Sequence, residues 1–192
     1  VGRPRKFDQD AVVARAAEEF RANGYAETSP QDLVDSLGIG KGSLYNAFGS
    51  KHELFLLSLQ RYAETSLADL RAAIESDGPV RERVRGMLTS FVEADLADPD
   101  RCGCLVVNTA VELGGKDDEV NAVLARSLTA TESVLRAAFT AARAVGEIDA
   151  DRDPRALAGL VQSAMIGLRV LTKTTDDRAR LAMIIDATVA AI

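Results

Sequence analysis

A chain of 192 residues can bury one large core or two small ones, and a net charge of −6 excludes a protein that coats nucleic acid over its whole surface. Aromatics make up only 5% of the residues, Trp is absent, and Ala, Leu and Val dominate an apolar content of 47%. That balance suits helix packed on helix better than a sheet core, so the chain is expected to be all-α and in two domains. No run reaches the roughly 20 uncharged apolar residues of a membrane span, and two cysteines one residue apart make no disulfide framework. A cytoplasmic setting is expected.

The first six residues, Val1 to Lys6, carry three cations and no acid. As an unpaired arm they can enter a minor groove through Arg3, Arg5 and Lys6, although a merely solvated terminus is the plainer reading. From Asp8 to Asn23 the residues Val12, Val13, Ala16, Ala17 and Phe20 recur at helical spacing, and Asn23-Gly24 stops the helix. Phe20 and Tyr25 are expected to pack beneath the segment that begins at Thr28.

The stretch from Thr28 to Leu54 is the most informative in the chain. Ser29 can cap a helix, Pro30 suits its first position, and Leu33 and Leu37 share one face. Gly38 and Gly40 bracket Ile39, which permits a sharp turn. A second short helix, residues 43–48, turns Leu44 and Phe48 inward and leaves Ser43, Tyr45 and Asn46 outside. Helix, glycine turn, helix is the helix-turn-helix pattern. Lys41 and Tyr45 can reach phosphate oxygens, while Ser43 and Asn46 can bond base edges. Ser50 and Glu53 fit a capping box for the next helix. Lys51 then sits at a helix N-terminus, where a cation opposes the dipole unless an anion such as a phosphate lies near.

These residues carry a resemblance. Thr28-Ser29, the run Leu37-Gly38-Ile39-Gly40-Lys41-Gly42-Ser43-Leu44-Tyr45, and the spacing Phe48, Lys51, Leu54 resemble the DNA-binding domain of the TetR family of transcriptional repressors. Val34-Asp35 departs from the family's frequent Ile-Ala and adds an acid beside the motif. The resemblance implies a helix-turn-helix domain over residues 1–50 and a ligand-binding and dimerisation domain over residues 51–192, with about nine helices in all. The expected DNA contacts are Arg3, Arg5, Lys6, Thr28, Ser29, Lys41, Gly42, Ser43, Tyr45, Asn46, Lys51 and His52. Charge agrees with that division: the first 52 residues hold seven basic and seven acidic side chains, so the net acidity lies downstream.

Further helices are predicted over residues 51–76, 79–97, 102–113, 117–145, 156–172 and 176–192, the first four stopped by Gly, Pro or Asp signals. The last two are richer in apolar residues than one buried face needs. Doubling them into a four-helix bundle is the plausible use, and the resemblance likewise implies a homodimer through these two helices. Simple coverage of the monomer core is the alternative. Cys104, Asn108 and Glu112 lie at i, i+4 and i+8 on an otherwise apolar helix, so the stripe must find partners or line a cavity. In the family a pocket of this domain binds an inducer, and Met87, Phe91, Leu128, Thr131 and Met165 can complete its wall. A hydrogen-bonded network without ligand is the competing reading.

Cys102 and Cys104 admit packing, a metal pair or a thiol switch. Zinc would need further ligands, and His52 is the one histidine of the chain, so no metal and no cofactor are expected. No nucleophile elbow or Ser-His-Asp grouping is evident, and an enzyme is not expected. The sequence therefore predicts a repressor that binds a palindromic operator in double-stranded DNA as a homodimer and is released by a small-molecule inducer. Redox or electrophile sensing at Cys104 is the alternative within this fold, and a helical protein-interaction module is a distant third.

Overall fold

The structure, a computed structural model, describes residues 7–192, so the arm with Arg3, Arg5 and Lys6 lies outside the described residues. Among these residues there are nine α-helices: α1 (Gln9–Asn23), α2 (Pro30–Leu37), α3 (Lys41–Phe48), α4 (Lys51–Ile74), α5 (Val80–Ala97), α6 (Leu105–Leu113), α7 (Asp118–Ala144), α8 (Pro154–Leu171) and α9 (Arg178–Ala190). Their ends follow local chemistry. Asp8 caps α1, Asp153 caps α8 ahead of Pro154, and Asp177 caps α9, each through a side-chain oxygen that accepts backbone N–H groups. At α2 the cap is reciprocal, because Ser29 accepts from the Asp32 amide and the Asp32 carboxylate accepts from the Ser29 amide. Gly38 ends α2 in the left-handed region with φ 67°.

Two compact units result. The first comprises the chain up to Thr65 together with Cys104–Leu124, and the second Ser66–Gly103 with Ala125–Ile192. This division differs from a boundary at residues 50 and 51. The physical reason is apolar: Leu105, Val106, Val120, Val123 and Leu124 join the core formed by Phe20, Leu33, Leu44, Leu54, Phe55 and Leu59. Within that core the Phe20 ring meets Phe55 edge-on at 4.9 Å, and Tyr25 packs on Phe55 at 4.7 Å. Burial of each such ring contributes about 1.5–3 kcal/mol. Phe20 and Tyr25 thus lie where the sequence predicts, under the helix-turn-helix.

In the second unit α5, α8 and α9 share a core with the later part of α7, centred on Val84, Met87, Leu88, Leu135, Phe139, Val161, Leu168 and Ile185. One buried polar cluster interrupts it. The Asp95 carboxylate accepts from Arg169 at 2.6 Å and from the Thr172 hydroxyl at 3.0 Å, and the Arg169 guanidinium lies 4.6 Å over the Phe91 ring. Both carboxylate oxygens are therefore satisfied, as a buried charge requires.

Candidate nucleic-acid interface

The short helix α3 is held by two side chains. Leu44 and Phe48 are buried in the first core, which fixes the rotation of the helix and turns the intervening residues away from it. Lys41, Gly42, Ser43 and Asn46 are exposed and Tyr45 is half-buried. A cation, a hydroxyl, a phenol and a carboxamide therefore share the outer surface of one helix, the chemistry needed for phosphate and base contacts. Gly40 caps α3 without a side-chain bond. A side-chain methyl at Gly40 or Gly42 would meet open space, so an outside group can come close to the backbone there.

Glu19, Glu27, Asp32 and Asp35 line a hollow of about 700 Å³ beside α1 and α2. Like charge disfavours a polyanion in that hollow. Asp35, the acid that departs from the family pattern, accepts from the Gln31 carboxamide at 2.9 Å. The Ser29 hydroxyl and amide bonds hold the Asp32 carboxyl below its ordinary value, so it is charged at neutral pH.

Four of the expected DNA contacts have partners inside the unit. Thr28 is fully buried and its hydroxyl donates to the Gly24 carbonyl at 2.6 Å. Ser29 serves the α2 cap. The Lys51 ammonium donates to the carbonyls of Tyr25 at 2.9 Å and Thr28 at 3.0 Å, and lies 4.2 Å over the Tyr25 ring. The anion inferred at this helix N-terminus is replaced by two carbonyl oxygens and a π face. His52 stands 2.8 Å from Asp117 through Nε2, and its ring packs edge-on against Tyr25. The Val120 amide, and after it His52, hold the Asp117 carboxyl below its ordinary value. Tyr25 is pushed the other way, first by burial and then by the negative charges of Asp117 and Glu112.

The polar stripe of α6 is found in the first unit, whereas Met87, Phe91, Leu128, Thr131 and Met165 belong to the second. The Glu112 carboxylate accepts the backbone amides of Tyr25 at 3.0 Å and Ala26 at 2.7 Å, and the Asn108 carboxamide donates to the Arg21 carbonyl at 3.4 Å. The two residues are bound to backbone at the α1–α2 corner, not to a ligand wall. Periodicity singled them out as polar groups needing partners; nothing local could say that the partners were amides 86 and 87 residues away. Cys104 occupies the N-cap of α6, and Cys102 is buried in the second unit. Of the remaining wall residues, Met87 is buried, Phe91 and Met165 pack on the same core, Thr131 is buried, and the Leu128 carbonyl accepts from Gln162 at 2.9 Å. The Asp95–Arg169–Thr172 cluster beside Phe91 could not be read from the sequence, because its members stand 74 and 77 positions apart.

A helix-turn-helix with an outward, mixed polar and basic second helix defines a DNA-binding regulator rather than an enzyme. Residues 12–58 match the family model for bacterial regulatory proteins of the tetR family, and residues 80–188 match the tetracyclin repressor-like C-terminal domain. The chain belongs to the TetR family. It is 34% identical over 183 residues to the uncharacterized HTH-type transcriptional regulator YezE of Bacillus subtilis, covering 94% of each chain. To the transcriptional regulator AcuR of Cereibacter sphaeroides it is 29% identical over 164 residues, covering 82% of this chain and 74% of AcuR. Among solved structures it is similar to a cysteine mutant of the TetR family regulator CifR complexed with 26 bp double-strand operator DNA. That likeness has a TM-score of 0.88 at 30% identity and covers 99% of both chains. Among the described residues no helix is long and apolar enough to cross a membrane.

Proposed function

We propose that this regulator is a repressor that binds a palindromic operator in double-stranded DNA as a homodimer and is released by a small-molecule inducer. The observation that carries the DNA reading is the outer surface of α3, where Lys41, Gly42, Ser43, Tyr45 and Asn46 are presented together by the burial of Leu44 and Phe48. The operator-bound CifR mutant, alike over nearly its whole length, supports it. Dimerisation is supported by Leu160 and Val170 on α8 and Met183 on α9, large apolar side chains at 42, 45 and 64% exposure. An apolar surface on two neighbouring helices is what a two-fold bundle covers. For the inducer the candidate wall is Met87, Phe91, Leu128, Thr131 and Met165, now without the α6 stripe. Selection of bound duplexes from random DNA tests the reading: a recovered palindrome is expected, and recovery of no sequence preference would overturn it.

A thiol-sensing version of the same repressor has one observation in its favour. Cys104 is half-exposed at the N-cap of α6, within reach of a reagent in solution. An alkylating reagent should then release wild-type protein from the operator and leave Cys104→Ser bound. Equal responses of the two proteins would remove this version.

A further inference from the structure

We infer that Glu112, a residue outside the helix-turn-helix sequence, is a positioning residue for operator recognition, holding the α1–α2 corner in the conformation that presents α3. The inference rests on the DNA-binding reading above. Helix α1 ends at Asn23, and Gly24 turns the chain with φ 79° before α2 begins at Pro30. That corner has to supply partners for its own backbone, since the amides of Tyr25 and Ala26 fall between two helices. One carboxylate takes both, at 3.0 and 2.7 Å. Two charge-assisted bonds from successive amides to one anion fix the peptide planes they come from.

The fit is close. A Cβ placed on Gly24 would lie 2.9 Å from Glu112 Oε2, so the carboxylate occupies the space a side chain at residue 24 would need. Helix α6 adds the Asn108 bond to the Arg21 carbonyl, one turn away from Glu112 on the same face. At the same corner the Lys51 ammonium takes the carbonyls of Tyr25 and Thr28. The corner is thus gripped by an anion at its amides and a cation at its carbonyls. The Thr28 hydroxyl bond to Gly24 closes the segment on itself. Because α2 starts immediately after Ser29 and α3 follows through the Gly38–Gly40 turn, a corner that swings moves both helices relative to α1.

Glutamine at 112 keeps the shape of the side chain but offers one acceptor and turns an NH₂ group toward the second amide. In Glu112→Gln the loss of one charge-assisted bond and the mismatch at the other should lower operator affinity roughly tenfold, by the usual worth of bonds to charged groups. The slope of affinity against salt should stay that of wild type, because Glu112 neutralises no phosphate. Amide hydrogen exchange at Tyr25 and Ala26 should quicken, while exchange in α5, α8 and α9 stays unchanged. The experiment therefore reads three quantities in the full-length chain: affinity for a duplex selected by the wild type, its salt slope, and exchange across residues 24–28. Should Glu112→Gln melt too early for binding to be read, Glu112→Asp, which keeps the charge and draws it one methylene back from the two amides, gives the same three quantities. Wild-type affinity with quickened exchange would overturn the inference, and so would wild-type exchange. If the wild-type protein itself selects no duplex, the DNA reading fails, and the exchange measurement alone then decides whether Glu112 holds the corner.

Discussion

Lys51, expected from the sequence to meet a phosphate, has partners of its own within the fold. Its ammonium is already shared between the carbonyls of Tyr25 and Thr28 and the Tyr25 ring. Lys51→Met should therefore cost about 1–3 kcal/mol of stability, the loss of charge-assisted bonds to half-buried carbonyls, as read by urea denaturation. Its salt slope of DNA binding should remain that of wild type, and a flattened slope would return Lys51 to the phosphates. Asp117 makes a second test at this scale. Its ordinary value is 3.8, and the Val120 amide and His52 lower it in the folded chain. A carboxyl depressed on folding stabilises fully above its unfolded value, and that contribution is lost as the pH falls through the lower folded value. Thermal melts of Asp117→Asn should lie below wild type at pH 7, and the gap should close as the pH drops through and below 3.8.

Among the elements, α3 is where the two kinds of DNA contact are expected to separate. Tyr45→Ala removes a phenol assigned to phosphate, so binding should weaken across all sequences with a flatter salt dependence. Asn46 is assigned to a base edge, and Asn46→Ala should relax preference at one half-site position by about 1–3 kcal/mol, leaving the other positions unchanged in a selected-sequence profile. The two outcomes differ in kind, which makes the assignments separable. Both rest on Leu44 and Phe48, whose burial sets the rotation of the helix. Helix α6 acts differently: its apolar side adds Leu105 and Val106 to the first core, while Asn108 and Glu112 hold backbone of that same unit.

At the scale of the whole molecule, recognition of a palindrome requires two copies, since one helix-turn-helix reads few base pairs. In the proposed homodimer the exposed apolar residues of α8 and α9 are the place to break the pair. A two-fold axis repeats any substitution in both copies, so Leu160→Glu or Met183→Glu sets two unpaired charges into an apolar interface. The dimer dissociation constant should rise at least roughly tenfold by sedimentation, with operator affinity falling in parallel, given the usual cost of disrupting an interface centre. A variant that remains dimeric at wild-type concentrations would place the interface elsewhere.

The helices were legible because the forces that bound them act within one turn of the chain. Ser29 with Pro30, Asp153 with Pro154, the Gly38–Gly40 turn and the apolar spacing of α1 and α4 all report local geometry. The outward set on α3 was legible for the same reason, since fixing Leu44 and Phe48 inward fixes their neighbours outward. What only the tertiary structure decided is which partner each polar group takes. An ammonium at Lys51 is satisfied equally by a phosphate or by two carbonyls, and a carboxylate at Glu112 equally by a ligand or by two amides. Residue type states the demand, and the segment that meets it comes from far along the chain. Tertiary packing also set the boundary between the compact units, because Leu105, Val106 and Val120 had two cores to join and nothing in their spacing distinguishes one apolar core from another.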